Sequence, residues 1–264
     1  MDFKNLVLSI QDGVSRITLN RPEKLNSLNE ETVVELSQAV DVVERSHDVR
    51  VLLLTGTGRA FCAGQDLDDP AMHTVDGKLP DIGAIVERHF KPLVLRLQNL
   101  KVPSIAAVNG LAAGGGASLA LACDIVVAAK SAYFLQAFSR IGLTPDTGST
   151  WFLANKVGTA RAIGLTYLAD KLPAEKAAEW GLIWQALDDA DFVAGTDKLA
   201  AHVATLPTRA LVRTRELVYA ARGHTLEQQL SMEATAIREM GWRQDYQEGV
   251  QAFLDKRAPQ FTGQ

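Results

Sequence analysis

The sequence predicts an α/β protein whose strands and helices alternate through the first two thirds and whose C-terminal third is helical. Three observations carry this. Runs such as Val51–Thr55, nearly all β-branched or Leu and closed by Gly56-Thr57-Gly58, read as strands covered on both faces, so the sheet is at least partly parallel. Strand, glycine-bearing loop and helix recur as a unit. After about Trp151, apolar side chains return at helical spacing with one short strand among them.

Element by element, Leu6–Ile10 and Val14–Asn20 alternate in polarity around Asp12-Gly13, the pattern of a hairpin that ends at Arg21-Pro22. Asn29 is placed to cap a helix that carries Val33, Leu36, Val40 and Val43 on one face as far as Ser46. The mixture between Asp68 and Asp81 lacks periodicity and is expected to be a surface loop able to act as a lid. A helical segment follows at Ile85–Leu97. Ser104–Val108 is a buried strand, Gly114–Cys123 a small-residue helix and Ile125–Ala128 another strand. Helices are expected at Ala160–Leu168, Ala174–Trp180, Asp191–Thr205, Thr208–Ala221, Leu226–Met240 and Tyr246–Lys256, with a strand near Ile183–Leu187.

A length of 264 residues fits one sizeable domain with an appendage, divided softly near Leu187–Asp191 into residues 1–190 and 191–264. Apolar residues at 47% and charged ones at 22% describe an ordinary packed core and exclude a disordered chain. The net charge of −4 offers no basic excess for a phosphate backbone, so no nucleic-acid partner is expected. Cys62 and Cys123 sit in Gly/Ala-rich apolar settings, which suits a reducing compartment. With no targeting pattern at the N-terminus, a cytoplasmic location is expected. Val102–Cys123 is uncharged and as long as a membrane span, but Pro103, Asn109-Gly110 and Gly114-Gly115-Gly116 break it, so no membrane association is expected.

The five histidines never pair at metal-ligand spacing, and no metal is expected. A nucleophile elbow, a P-loop and the dinucleotide glycine spacing are absent. What remains is a pair of glycine turns, Ala63-Gly64-Gln65 and Gly114-Gly115-Gly116, whose free N–H groups could together hold an oxygen gaining negative charge. The bland reading of the same triplet is that it only permits close helix packing. Asp146, among Phe138, Ile141 and Trp151, could be a proton carrier with a pKa raised by burial or the cap of a helix starting at Thr147, roles that need not exclude each other.

Phe61–Leu67 (FCAGQDL) and Val102–Ile125 (VPSIAAVNGLAAGGGASLALACDI) resemble the crotonase superfamily of acyl-CoA enzymes, as do Leu19–Asn29 and Glu248–Phe261 at the two ends. The resemblance spans essentially the whole chain. It implies a spiral of ββα units as the acyl-CoA-binding core, and a C-terminal helical region that builds homotrimers, often paired as hexamers. By motif position it implies that the N–H groups of Gln65 and Gly115 form an oxyanion hole. Contacts to coenzyme A, which is part of the substrate and not a separate cofactor, carry over to Lys24, Ala63 and Asp66, and to Phe253 and Lys256 of a neighbouring subunit. The chain departs from the hydratases of the superfamily, which carry glutamates where Ser118 and Phe138 stand here. Asp146 is where several of its isomerases carry their single acid/base. GRAFCAGQDL, AFSRIGLTPDTGSTW and YQEGVQAFLDKRAPQFTG are similar to the isomerase branch that turns ring-1,2-epoxyphenylacetyl-CoA into oxepin-CoA in phenylacetate degradation. That likeness implies an isomerase working through an enolate, with enoyl-CoA double-bond shifts as a second activity. The alternatives are an enoyl-CoA hydratase, a dehalogenase using His89 as base, and a non-catalytic acyl-CoA-binding oligomer.

Overall fold

The computed structural model describes residues 2–74 and 76–263; Val75, within the expected 68–81 loop, lies outside the described residues. β1 (Leu6–Gln11) and β2 (Val14–Leu19) form the expected antiparallel hairpin, with Asp12 and Gly13 both at positive φ, as a two-residue turn matching the strand twist requires. A 3₁₀ turn, Pro22–Lys24, ends it. α1 (Glu30–Arg45) begins where expected, its Asn29 cap accepting the Thr32 N–H at 2.9 Å. The chain continues through β3 (Val51–Gly56) and β4 (Ala60–Cys62) into the 68–81 loop, which includes a 3₁₀ turn at Pro70–Met72.

Next comes a continuous rod made of α2 (Ile82–Ile85), a π-helical turn at Val86–Phe90, and α3 (Lys91–Gln98). Pro92 explains the wide turn: its ring crowds the carbonyl four residues back and it has no N–H to offer. The Lys91 N–H accordingly reaches the Val86 carbonyl, five residues back. Then follow β5 (Ser104–Val108), β6 (Leu111–Ala113), α4 (Gly115–Leu121), β7 (Ile125–Ala129), β8 (Tyr133–Leu135), α5 (Ser149–Leu168), β9 (Leu172–Pro173), α6 (Ala174–Glu179) and β10 (Gln185–Leu187). α7 (Phe192–Ala204), α8 (Thr208–Ala220), α9 (Leu226–Gly241) and α10 (Gln244–Leu254) complete the chain.

The strands form two sheets, ordered β1-β2-β3-β5-β7-β10 and β4-β6-β8-β9. Successive pairs, β3 with β4, β5 with β6 and β7 with β8, lay one strand in each sheet, and neighbours from different pairs run parallel. The chain therefore winds as the ββα spiral that the resemblance implied. Every residue of β5 is buried, as a parallel strand between two layers requires. The uncharged Val102–Cys123 window resolves into β5, β6 and α4, and among the described residues no helix is long and apolar enough to cross a membrane.

Beyond the proposed boundary at residue 190, α7 still packs on β2, β3 and β7 and adds Phe192, Ala200 and Val203 to the one hydrophobic core. α8 is tied to the same core by Arg215, whose guanidinium meets Asp124 at 2.6 and 2.8 Å and the Leu100 and Val102 carbonyls at 2.6 and 2.7 Å. These bonds satisfy a charge that the fold nearly removes from water. They also fix the junction between α4 and β7.

Candidate active site

The site is built where the two glycine turns meet. Leu28 donates its N–H to the Gly64 carbonyl at 2.7 Å and accepts the Asp66 N–H at 3.0 Å, a parallel bridge centred on Gln65. In such a bridge the flanking residues make the bonds, so the N–H of Gln65 itself faces away from Leu28. Gly64 has φ +94°, and a methyl group there would lie 2.8 Å from the Ala113 carbonyl and 3.5 Å from the Gly115 nitrogen. Only a glycine lets the two segments approach this closely. Gly115 is the first residue of α4, and its N–H is among the donors that a helix leaves without an internal partner.

Both readings of the glycine triplet hold, for different members. Gly114 supplies a positive-φ backbone (φ 49°, ψ −124°) that side chains disfavour. Gly116 serves packing, because a Cβ there would fall 2.4 Å from the Cys62 carbonyl. A Cβ on Gly115 would meet nothing nearer than Thr147 Oγ1 at 3.5 Å and Phe90 Cε1 at 4.0 Å. Gly116→Ala is therefore expected to cost about 3 kcal/mol of stability, against a small change for Gly115→Ala; urea denaturation of the two variants measures the contrast.

The turns open on a cavity of about 260 Å³ that Ala63, Gly64, Gln65, Gly114 and Gly115 share with Asp146 and Thr147. Ile82, Ile85, Val86 and Phe90 of the α2–α3 rod form one apolar wall, and Phe138, Ile141 and Leu143 another. Among the described residues lining this cavity, Asp146 is the one carboxylate and Arg140 the one cation. Burial pushes the Asp146 carboxyl above the ordinary carboxylate range, and the Thr147 hydroxyl, donating to its Oδ1 at 2.8 Å, opposes part of that rise.

The expectation that Asp146 caps a helix starting at Thr147 is corrected. α5 starts at Ser149 with Gly148 as its cap residue, and no side chain caps it. Thr147 and Gly148, at φ 52° and 83°, turn the chain away from helical geometry. Only the Asp146 carbonyl meets the helix, accepting the Ser149 N–H at 2.8 Å. The carboxylate is left to the cavity.

Neither hydratase position supplies an acid. Ser118 is fully buried, with its hydroxyl 2.5 Å from that of Ser149 and donating to the Gly114 carbonyl at 3.3 Å. Phe138 lies against Gly114 on the cavity wall.

The remaining candidates are not brought to this cavity. Lys24 is exposed and pairs with Asp68 at 2.9 Å, a bond that raises its pKa. Asp66 is buried, and although burial opposes its charge, the Arg21 guanidinium at 2.9 Å and the Asp68 N–H hold its carboxyl below the usual range. This pair locks the 63–67 segment to the end of β2. Phe253 lines a separate apolar cavity of about 420 Å³ among the C-terminal helices, and Lys256 is exposed just beyond α10. His89 lines a neighbouring cavity of about 500 Å³ that shares Gln65, Ile85 and Phe90 with the first, its Nε2 3.2 Å from Glu30 Oε1. It does not line the cavity that holds Asp146. Both cysteines are free and buried, and burial pushes each thiol up to about 12, so they remain protonated.

Sequence reasoning missed Phe90, Arg140 and Thr147. For Phe90 the Lys91-Pro92 step was the available signal, since a proline there rotates the preceding turn. Arg140 leaves no local trace, and the sequence marks Thr147 only as the start of a helix.

A family model described as enoyl-CoA hydratase/isomerase matches residues 9–264. The chain belongs to that family. A 1,2-epoxyphenylacetyl-CoA isomerase of Escherichia coli is 51% identical over 100% of this chain and 99% of its own length. A probable enoyl-CoA hydratase of Rhodobacter capsulatus is 44% identical over the full length of both. Among solved structures, an enoyl-CoA hydratase from Geobacillus kaustophilus superposes with a TM-score of 0.91 at 33% identity and covers 100% of both chains. One from Bacillus anthracis gives 0.91 at 30%, covering 99% of this chain and 100% of that one. The chain thus shares its fold with these two enzymes from end to end.

Proposed function

We propose that this enoyl-CoA hydratase/isomerase family member is an acyl-CoA isomerase that works through an enolate and a single carboxyl group. Its substrate on this reading is ring-1,2-epoxyphenylacetyl-CoA, in phenylacetate degradation, with double-bond shifts in simple enoyl-CoA thioesters as a second activity. The observation that carries the proposal is a lone carboxylate, Asp146, in an apolar cavity floored by the Gln65 and Gly115 turns. Likeness to the isomerase of Escherichia coli supports the choice of substrate.

The thioester oxygen would sit between the two N–H groups, which stabilise it most as it gains charge. The epoxide opens to the seven-membered oxepin by breaking the ring carbon–carbon bond. Asp146 takes a proton from the carbon next to the thioester, the electron pair spreads over the thioester and ring, and the same carboxyl returns the proton at the γ-carbon. Composition is unchanged, as isomerisation requires. Adding water would need a second acid or base, and Ser118 and Phe138 supply none.

Incubation with the ring-epoxide thioester and a panel of 3-enoyl thioesters, with products identified by mass and NMR, tests the reading. Products of unchanged mass are expected. Products heavier by one water would favour a hydratase, halide release from a chlorobenzoyl thioester a dehalogenase, and binding without deuterium exchange at the α-carbon a non-catalytic binder. A homotrimer or hexamer is part of the same proposal, supported by exposed Ile237, Trp242, Phe253 and Leu254 on the C-terminal helices. Sedimentation equilibrium giving a monomer would remove that part alone.

A further inference from the structure

Thr147 sits in a conformation that its residue type disfavours. A β-branched side chain at φ 52° is uncommon, and a glycine or asparagine would fill the position with less strain. The side chain is nonetheless buried, at 6% exposure, and it lies between the two halves of the site. Its hydroxyl donates to Asp146 Oδ1 at 2.8 Å, and the same oxygen lies 3.5 Å from where a methyl on Gly115 would be. Among the described residues no side chain bonds Asp146 Oδ2.

We infer that Thr147 is the positioning residue of the acid, clamping Oδ1 so that Oδ2 alone takes and returns the proton. The inference rests on the reading of Asp146 as acid/base. A carboxyl group protonated on Oδ2 still presents Oδ1 as an acceptor, so the clamp persists through the cycle. The group then does not rotate between taking the proton and giving it back, and a proton removed at the α-carbon is delivered at the γ-carbon before it exchanges with water.

Loss of the clamp has a second signature, in the pH profile. The hydroxyl stabilises the ionised carboxylate, so its removal raises the pKa of Asp146 and moves the acidic limb of kcat/KM to higher pH. Few other charges bear on that limb. Arg140 is the one other ionisable side chain lining the cavity, and its guanidinium is turned to the Ala169 carbonyl. On the rod, Arg88 lines the adjoining cavity and not the one that holds Asp146, Glu87 pairs with Lys91 and His89 with Glu30; on the 63–68 segment, Asp66 pairs with Arg21 and Asp68 with Lys24.

The test uses Thr147→Val, Thr147→Ala and Thr147→Ser with an α-deuterated 3-enoyl thioester in ordinary water. The first two variants should lose about tenfold or more in kcat/KM, shift the acidic limb upward, and lower the fraction of deuterium found at the γ-carbon. Thr147→Ser should behave as the parent does. Alanine carries neither the hydroxyl nor the β-branch, so its agreement with valine separates the lost bond from altered packing. Parent-like deuterium retention and pH limb in both hydroxyl-free variants would overturn the inference, provided Asp146→Asn is inactive. An active Asp146→Asn would instead overturn the reading on which it rests.

Discussion

Asp146→Asn is expected to lower turnover by about a hundredfold to ten-thousandfold, the range that positioned acid–base groups contribute, with acyl-CoA affinity nearly unchanged. Asparagine keeps the shape and an acceptor for the Thr147 hydroxyl but cannot carry a proton. Deuterium exchange at the α-carbon should vanish with turnover, because both need the same first step. The stability of the variant should move the other way. Burial raises the Asp146 pKa in the folded protein, so the protonated form is the one folding favours. The stability this group provides is complete below the carboxylate's unfolded pKa and is lost as pH rises through its folded value. Asparagine is neutral throughout, so the variant should be at least as stable as the parent near neutral pH. That advantage should disappear in acid. Thermal unfolding at the two pH values measures both.

The second large effect is expected from removing one of the two N–H donors. Gly115 is the first residue of α4, where proline is tolerated because the N–H has no helical partner, and a Cβ there would make only ordinary van der Waals contacts. Gly115→Pro should cost about 2.7–4 kcal/mol of transition-state stabilisation, which is roughly a hundredfold to a thousandfold in kcat. Gly115→Ala keeps the N–H and should cost far less. Proline replaces the N–H hydrogen with its Cδ while alanine adds only a Cβ, so the comparison reads the loss of the donor at the oxygen site, and circular dichroism with acyl-CoA binding shows whether the proline variant keeps the fold and the ligand. Equal kcat in the two variants would mean that the Gly115 amide does not bear on the reaction.

Much of the fold was legible because its larger elements carry periodic patterns. The hairpin, α1, β3, β5 and the helices beyond residue 190 all fall within a few residues of their expected positions. The second sheet was not legible, since β4, β6, β8 and β9 have two or three residues each, too few to alternate. Its strands are defined by their pairing with distant segments. α5 was legible in two pieces, a helix starting near Thr147 and one from Ala160, because Gly158, at φ 79°, kinks it between them. In the site, Gln65, Gly115 and Asp146 could be picked out from motif and chemistry. The cavity wall could not, because Phe90 faces inward through a π-helical turn and Thr147 through backbone strain, neither of which leaves a simple hydrophobic period.

Co-crystallisation with phenylacetyl-CoA, which has a thioester but no epoxide to open, tests the central claim most directly. The thioester oxygen should lie about 2.7–3.1 Å from both the Gln65 and Gly115 nitrogens, with the adjacent CH₂ facing Asp146 Oδ2. A thioester bound with its oxygen away from either nitrogen, or with that carbon beyond the reach of Asp146, would contradict the account.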